Sequence, residues 1–277
     1  MQVRRGLSVS IKALAALSMI AAVASFFYYW EPTRIIWKVW NAKSVYLYEK
    51  IHPKFLETDP ATLIRVRSAG DISRLRSALI STIWGESGMP LSELPDAIQR
   101  NVPIKTTPKL RRYGPPFGDF AETSNMLAID RISVDVSKFY DISIFHLRPR
   151  KGNGKLVIYQ NGHGQRGTFM DQRKFLEELI GAGYAVLAYN LVGYGMTRMD
   201  RTYVPGIGWY ELHPWRLFDL TERPLRFYLN PVVIGLNYIK KNFNYRRIDM
   251  IGFSAGAWVT VVASAVDSRI EGSYLVA

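Results

Sequence analysis

Gly252-Phe253-Ser254-Ala255-Gly256 is a G-x-S-x-G motif, and Ser254 carries a hydroxyl that could act as a nucleophile. An apolar run, "RIDMIGF", leads into it and a small-residue run, "AGAWVTVVASAV", leads out. Those patterns predict a buried strand followed by a helix. A serine in a tight strand-to-helix turn adopts a strained backbone and lifts its Oγ clear of the sheet. Glycine at 252 and 256 removes Cβ atoms that would clash with the neighbouring strand and helix. The helix opening at Ala255 aims its first N–H groups at the reacting oxygen, where they can stabilise developing negative charge. The motif alone arises by chance in about a tenth of chains this long at average composition, so its context carries the reading. The competing reading of Ser254 is a cap or small turn residue.

A second motif, Gly162-His163-Gly164-Gln165-Arg166-Gly167, matches G-x-G-x-x-G. It follows an apolar run, "KLVIYQN", and precedes a helical pattern, "TFMDQRKFLEELIGAG". That context suits a loop whose backbone N–H groups face a pyrophosphate, which would make the chain a nucleotide-binding oxidoreductase. The acid that should then hold a ribose at the end of the next strand is replaced by Asn190. The motif also starts deep in the chain, after two strands that read as antiparallel.

The elements around these motifs set the fold class. "MLAIDRISVDV" and "YDISIFHLRP" alternate apolar and polar residues, as half-buried strands do. "KLVIYQN" and "YAVLAYNLVGYG" are nearly continuous apolar runs, the pattern of strands buried on both faces. Asn230-Pro231 reads as the opening of a helix, with proline at its first position. "IEGSYLVA" starts one more strand. Strand and helix alternate, which predicts an α/β fold with a mostly parallel sheet wrapped by helices. Ahead of it, Asp71 to Trp84 has helical spacing of Ile72, Leu75, Leu79 and Ile83, and a proline-rich stretch follows. The expected organisation is a membrane segment at 1–30, a helical and loop-rich extension at 31–125, and a core at 126–277.

Leu7 to Trp30 is long enough to span a bilayer as a helix, and it ends in the aromatic cluster "FFYYW". It predicts a single-pass anchor with the bulk of the chain on the outer side. The rival is a cleaved signal peptide, with Ala22-Val23-Ala24 as the cleavage site. The chain has 277 residues, no cysteine and a formal net charge of +13. The absence of cysteine excludes disulfides and thiolate metal sites. The lysines and arginines are scattered in ones and twos, which argues against nucleic acid as a partner. No cofactor and no metal is expected.

Three segments in order resemble the α/β-hydrolase superfamily, from about Met126 to Ala277. "NGHGQ" resembles its oxyanion loop after the third strand, "YNLVGYGMT" the segment after the fourth, and "GFSAG" its nucleophile elbow. In the middle segment Asn190 and Thr197 replace an acid and a serine. The combination is most similar to the acetylxylan-esterase and dienelactone-hydrolase-like branches. The resemblance implies Ser254 as nucleophile, the Ala255 N–H as one oxyanion donor, Gln165 as the other, and a small-molecule ester as substrate. The aromatic-rich excursion with Tyr203, Trp209, Tyr210 and Trp215 could stack on sugar rings, cover an acyl chain or simply pack.

Triad order in that fold is serine, then acid, then histidine. His52, His146, His163 and His213 all precede Ser254. Asp267 and Glu271 follow it, at a helix end and a strand start, away from the strand tops where the acid belongs. The expectation is therefore a chain cut after the sixth strand, with acid and base beyond Ala277 and little or no activity of its own. A catalytically dead binding protein on the same scaffold is the alternative.

Overall fold

The computed structural model describes residues 17–19, 23, 25, 53, 57–64, 66–102, 125–137, 140–163, 173–194, 197, 202–210, 215 and 217–276. The chain divides into two compact units, Met1–Arg65 and Val66–Ala277. In the first, a short helix, α1 (Pro60–Leu63), is capped by Asp59, whose carboxylate accepts from the Ala61 N–H at 2.9 Å.

The second unit opens with α2 (Ala69–Trp84). Ser68 Oγ accepts from the Asp71 N–H at 3.2 Å, and the Asp71 carboxylate accepts from the Ser68 N–H at 3.0 Å. This reciprocal pair satisfies two donors that the first turn leaves open. At the other end Ile83 and Trp84 are buried, and the Trp84 indole N–H donates to Asn230 Oδ1 at 2.7 Å.

The sheet comprises β1 (Ala97–Gln99), β2 (Met126–Ser137), β3 (Tyr140–Pro149), β4 (Lys155–Gln160), β5 (Ala185–Tyr189), β8 (Arg247–Phe253) and β9 (Gly272–Val276). Its spatial order is β1-β2-β3-β5-β4-β8-β9. The expectation of a mostly parallel sheet is corrected by this pairing. β5, β4, β8 and β9 run parallel, but β1–β2, β2–β3 and β3–β5 are antiparallel. The reason is local: only Lys138 and Phe139 separate β2 from β3, a connection that permits a hairpin and no crossover. A separate hairpin, β6 (Thr202–Val204) with β7 (Gly208–Tyr210), lies in the aromatic-rich excursion.

Helices cover both faces. α3 (Arg173–Gly181) buries Leu176 and Ile180 against Phe145, Tyr159 and Val186. The opposite face takes α2, α5 (Leu225–Asn242) and α6 (Ala255–Val266) over Ile132, Ile144, Ile158, Leu187 and Met250. A one-turn helix, α4 (Leu217–Leu220), precedes α5. The helix expected to open at Pro231 begins at Leu225, so Pro231 lies inside it. An internal proline forfeits one backbone hydrogen bond. Tyr228, Leu229 and Val232 beside it are fully buried, and that packing carries the helix through the break.

The expected anchor is corrected as well. Among the described residues no helix is long and apolar enough to cross a membrane. A span needs about 20 consecutive apolar residues in one helix, and most of Leu7–Trp30 lies outside the described residues. The reading of a single-pass membrane protein with its core on the outer side is therefore withdrawn.

Candidate active site

β8 ends at Phe253 and α6 begins at Ala255, so Ser254 alone makes the turn. Its backbone stands at φ 50°, ψ −118°, and its side chain is exposed. A non-glycine residue in such a conformation costs of order 1–3 kcal/mol and persists only where its surroundings over-determine it. Four contacts do so. The Ser254 N–H donates to the Val276 carbonyl of β9 at 2.6 Å, and its carbonyl accepts from Ala257 N–H at 2.8 Å. Gly252 lies against the Gly256 carbonyl and Thr260 Oγ1 so closely that a Cβ there would collide with both. Gly256 in turn lies on β4, where a Cβ would stand 2.5 Å from the Gln160 carbonyl and 2.7 Å from that of Asn161.

Strain of this kind predicts a stability effect opposite to that of most substitutions. Ser254→Gly should stabilise the fold by about 1 kcal/mol, because glycine occupies positive φ without the Cβ penalty. A urea-denaturation midpoint that falls or stays unchanged would contradict a strained serine.

The loop after β4 closes on the same turn. A Cβ on Gly162 would collide with the Phe253 carbonyl and stand 3.0 Å from Ser254 Cβ. The missing side chain at 162 is thus accounted for by the serine turn, with no pyrophosphate needed to explain it. Asn190, where a nucleotide site would want an acid, is buried. Asn161 anchors the loop: its N–H donates to the Tyr189 carbonyl at 3.2 Å, and its Oδ1 accepts from Tyr159 OH at 2.8 Å. Gln165 and the rest of the G-x-G-x-x-G motif after His163 lie outside the described residues. The segment after β5 is pinned by Tyr140, whose hydroxyl donates to the Thr197 carbonyl and accepts from the Gly193 N–H at 2.9 Å. Thr197 Oγ1 donates to the Leu191 and Tyr194 carbonyls. Thr197 therefore folds this loop back on itself.

Ala255 opens α6, and no side chain caps that helix. The first N–H groups of a helix have no partner inside it and carry its positive end. Ser254 and this N-terminus are brought together, with the Gly162 backbone against them.

Neither acid nor base joins them among the described residues. Asp267 caps the far end of α6 and is buried. It is bound by Arg269, whose guanidinium also donates to Asn237 Oδ1 at 2.6 Å and so ties this turn to α5. Glu271 is exposed beside the start of β9, its N–H bound to the Ile248 carbonyl. His52 and His213 lie outside the described residues. His163, one residue beyond Gly162, is exposed, and its ring meets those of Tyr194 and Trp215.

His146 belongs to a separate buried cluster between β2, β3 and the segment after α5. Its Nε2 lies 2.9 Å from Tyr245 OH, and its Nδ1 is 3.7 Å from Asp130 Oδ2. Arg148 Nε lies 3.1 Å from Asp130 Oδ2 as an ion pair, and Asp130 Oδ1 accepts from the Asn101 N–H at 3.0 Å and from Arg148 Nη2 at 3.2 Å. Burial holds the His146 imidazole below its ordinary pKa, outweighing the pull of Asp130. Burial pushes the Asp130 carboxyl up, but His146, the Asn101 amide and Arg148 together bring it below the usual value. Burial pushes the Tyr245 hydroxyl up to about 12.

Both lowered values act in one direction. A histidine that resists protonation only when folded lets the unfolded chain bind more protons as pH falls below about 6.5. Stability contributed by His146 is then lost progressively from about that pH downward, and Asp130 adds its loss below about 4. Urea midpoints between pH 7 and 5 should fall for the native chain and fall less steeply for His146→Gln. Parallel slopes would show that His146 does not control this dependence.

No family model matches the chain, and no curated relative does. Solved structures do match. A candidate acetyl xylan esterase from Bacteroides fragilis NCTC 9343 shares 15% identity at a TM-score of 0.50, over 76% of this chain and 54% of that one. An acetyl xylan esterase from Paenibacillus sp. R4 shares 18% at 0.44, over 78% of this chain and 63% of the other. Acetyl xylan esterase 1 from Thermoanaerobacterium sp. JW/SL YS485 shares 14% at 0.43, over 73% and 56%. The chain thus spans between 54% and 63% of the length of these structures. The strand order and the first of these likenesses define the fold as that of the α/β-hydrolases.

Proposed function

We propose that this chain carries the nucleophile half of a serine carboxylic-ester hydrolase. Ser254 attacks the ester carbonyl. The Ala255 N–H receives the oxyanion, and Gln165 supplies the second donor from the loop that Gly162 begins. One observation carries the reading: the positive φ of Ser254 in a single-residue turn between β8 and α6. Such a conformation is retained where a nucleophile must stand clear of its own backbone. The esterase names of the structural neighbours agree with it.

Among the described residues no acid or base stands beside Ser254; the fold's order puts both after the serine, and no histidine follows Ser254 in the sequence. A serine with no base is a weak nucleophile. The chain as it stands should therefore react slowly or not at all. Among the described residues no cluster of histidine and carboxylate could hold a metal ion.

An alkyl fluorophosphonate tests the assignment. A longer protein that includes the acid and histidine should be labelled at Ser254, as read by peptide mass, and Ser254→Ala should not be labelled. Labelling elsewhere, or none in that longer protein, would leave a binding module on a hydrolase scaffold.

A further inference from the structure

Aromatic rings run in an unbroken line around the approach to Ser254. His163 meets Trp215 at 6.3 Å between ring centroids, Trp215 meets Phe218 at 6.4 Å, Phe218 meets Tyr228 at 6.2 Å, and Tyr228 meets Trp258 at 5.5 Å. Each separation lies in the range at which aromatic rings attract.

Both ends of the line are fixed next to the serine. His163 follows Gly162, whose backbone touches the Ser254 turn. Trp258 stands one helical turn after Ser254 on α6. Residues four apart share a helix face, and side chains on a helix lean toward its N-terminus, which puts Trp258 on the Ser254 side of α6, where its ring meets Tyr228.

The line is not packing alone. Tyr228 is buried and supports it from within, but Trp215, Phe218 and Trp258 keep 42%, 45% and 37% of their surface exposed. His163 is exposed too. Successive rings from His163 to Tyr228 tilt by 33° to 40° against one another. Its exposed members are all ring-bearing. An aliphatic chain is matched by any apolar surface, whereas the quadrupoles of such rings reward a second aromatic ring in offset or edge contact.

We infer that His163, Trp215, Phe218 and Trp258 form a subsite that receives the aryl group of an ester bound at Ser254. The inference rests on the ester-hydrolase reading for its placement, but its test does not require turnover. The same ring could belong to the alcohol or to the acyl half, and the probes separate these.

The 277-residue chain is titrated with phenyl acetate, methyl benzoate and cyclohexyl acetate, with affinities taken from saturation-transfer NMR. At least one aryl ester should bind about tenfold more tightly than the saturated-ring ester, the margin that aromatic contacts add beyond area burial. Preference for phenyl acetate puts the ring on the alcohol side, and preference for methyl benzoate puts it on the acyl side. Trp258→Leu and Trp215→Leu should each erase most of the preference, while Trp258→Phe, which keeps a ring, should retain it. Equal affinity for aryl and cyclohexyl esters overturns the subsite, as does a preference untouched in both leucine variants with native circular dichroism. Failure of the hydrolase reading looks different: aryl preference persists, but the fluorophosphonate never labels Ser254 in the longer protein.

Discussion

Ser254→Ala, made in a longer protein that includes the acid and histidine, should lower kcat toward a simple aryl ester by about four orders of magnitude or more. Members of a nucleophilic triad act as a unit, so removing the attacking oxygen forfeits the base and acid with it. What survives is the oxyanion donors and substrate positioning, worth roughly three to four orders over water. KM should change little, since the hydroxyl adds little to ground-state binding. In the 277-residue chain the same substitution should alter almost nothing, because no base stands beside Ser254 among the described residues. If that shorter chain hydrolyses the ester through Ser254, one of the upstream histidines is the base, with His213 the first to replace. If the longer protein is folded and Ser254→Ala leaves its rate unchanged, the nucleophile lies elsewhere.

Much of this site was legible because it is local in sequence. The strand-turn-helix around Ser254 follows from one apolar run, two glycines and one small-residue run, and β8 and α6 span the residues those patterns predict. The same holds for β3, whose alternation marks Tyr140–Pro149. What escaped was set by contacts distant in the chain. Periodicity does not reveal that β4 lies between β5 and β8, because the crossovers that decide it are long. Pro231 misled for a related reason. Its helix-breaking tendency is a local preference of about 3 kcal/mol, which burial of Tyr228, Leu229 and Val232 in the core overrides. Nothing near His146 in sequence pointed to Tyr245, 99 positions away. Trp258 was hidden within a run that reads simply as an apolar helix. Its place in the aromatic line depends on Tyr228 of α5.

Gly252→Ala should destabilise the second unit by about 3 kcal/mol or more, at the upper end for overpacking a core. The added methyl would enter space already held by the Gly256 carbonyl and Thr260 Oγ1. Neither can retreat cheaply. Thr260 is fully buried, and its hydroxyl donates to the Gly256 carbonyl at 3.0 Å. Gly256 is itself wedged against the Gln160 and Asn161 carbonyls at the end of β4. The clash must therefore push α6 off β8, and β4 or its following loop must give way with it. The Ser254 turn sits at the junction of those pieces, so residual folded protein should also show lowered fluorophosphonate labelling in the longer chain. Gly70→Ala is the control. That glycine lies in the first turn of α2, where a Cβ would meet only Ser68 Oγ, at 3.6 Å, and a methyl there should be neutral or stabilising by up to about 1 kcal/mol. Urea midpoints of the two variants, read by tryptophan emission, should move apart. A Gly252→Ala protein as stable as the native chain would mean that α6 does not seat on β8 as closely as these contacts require, and the constraint on Ser254 would go with it.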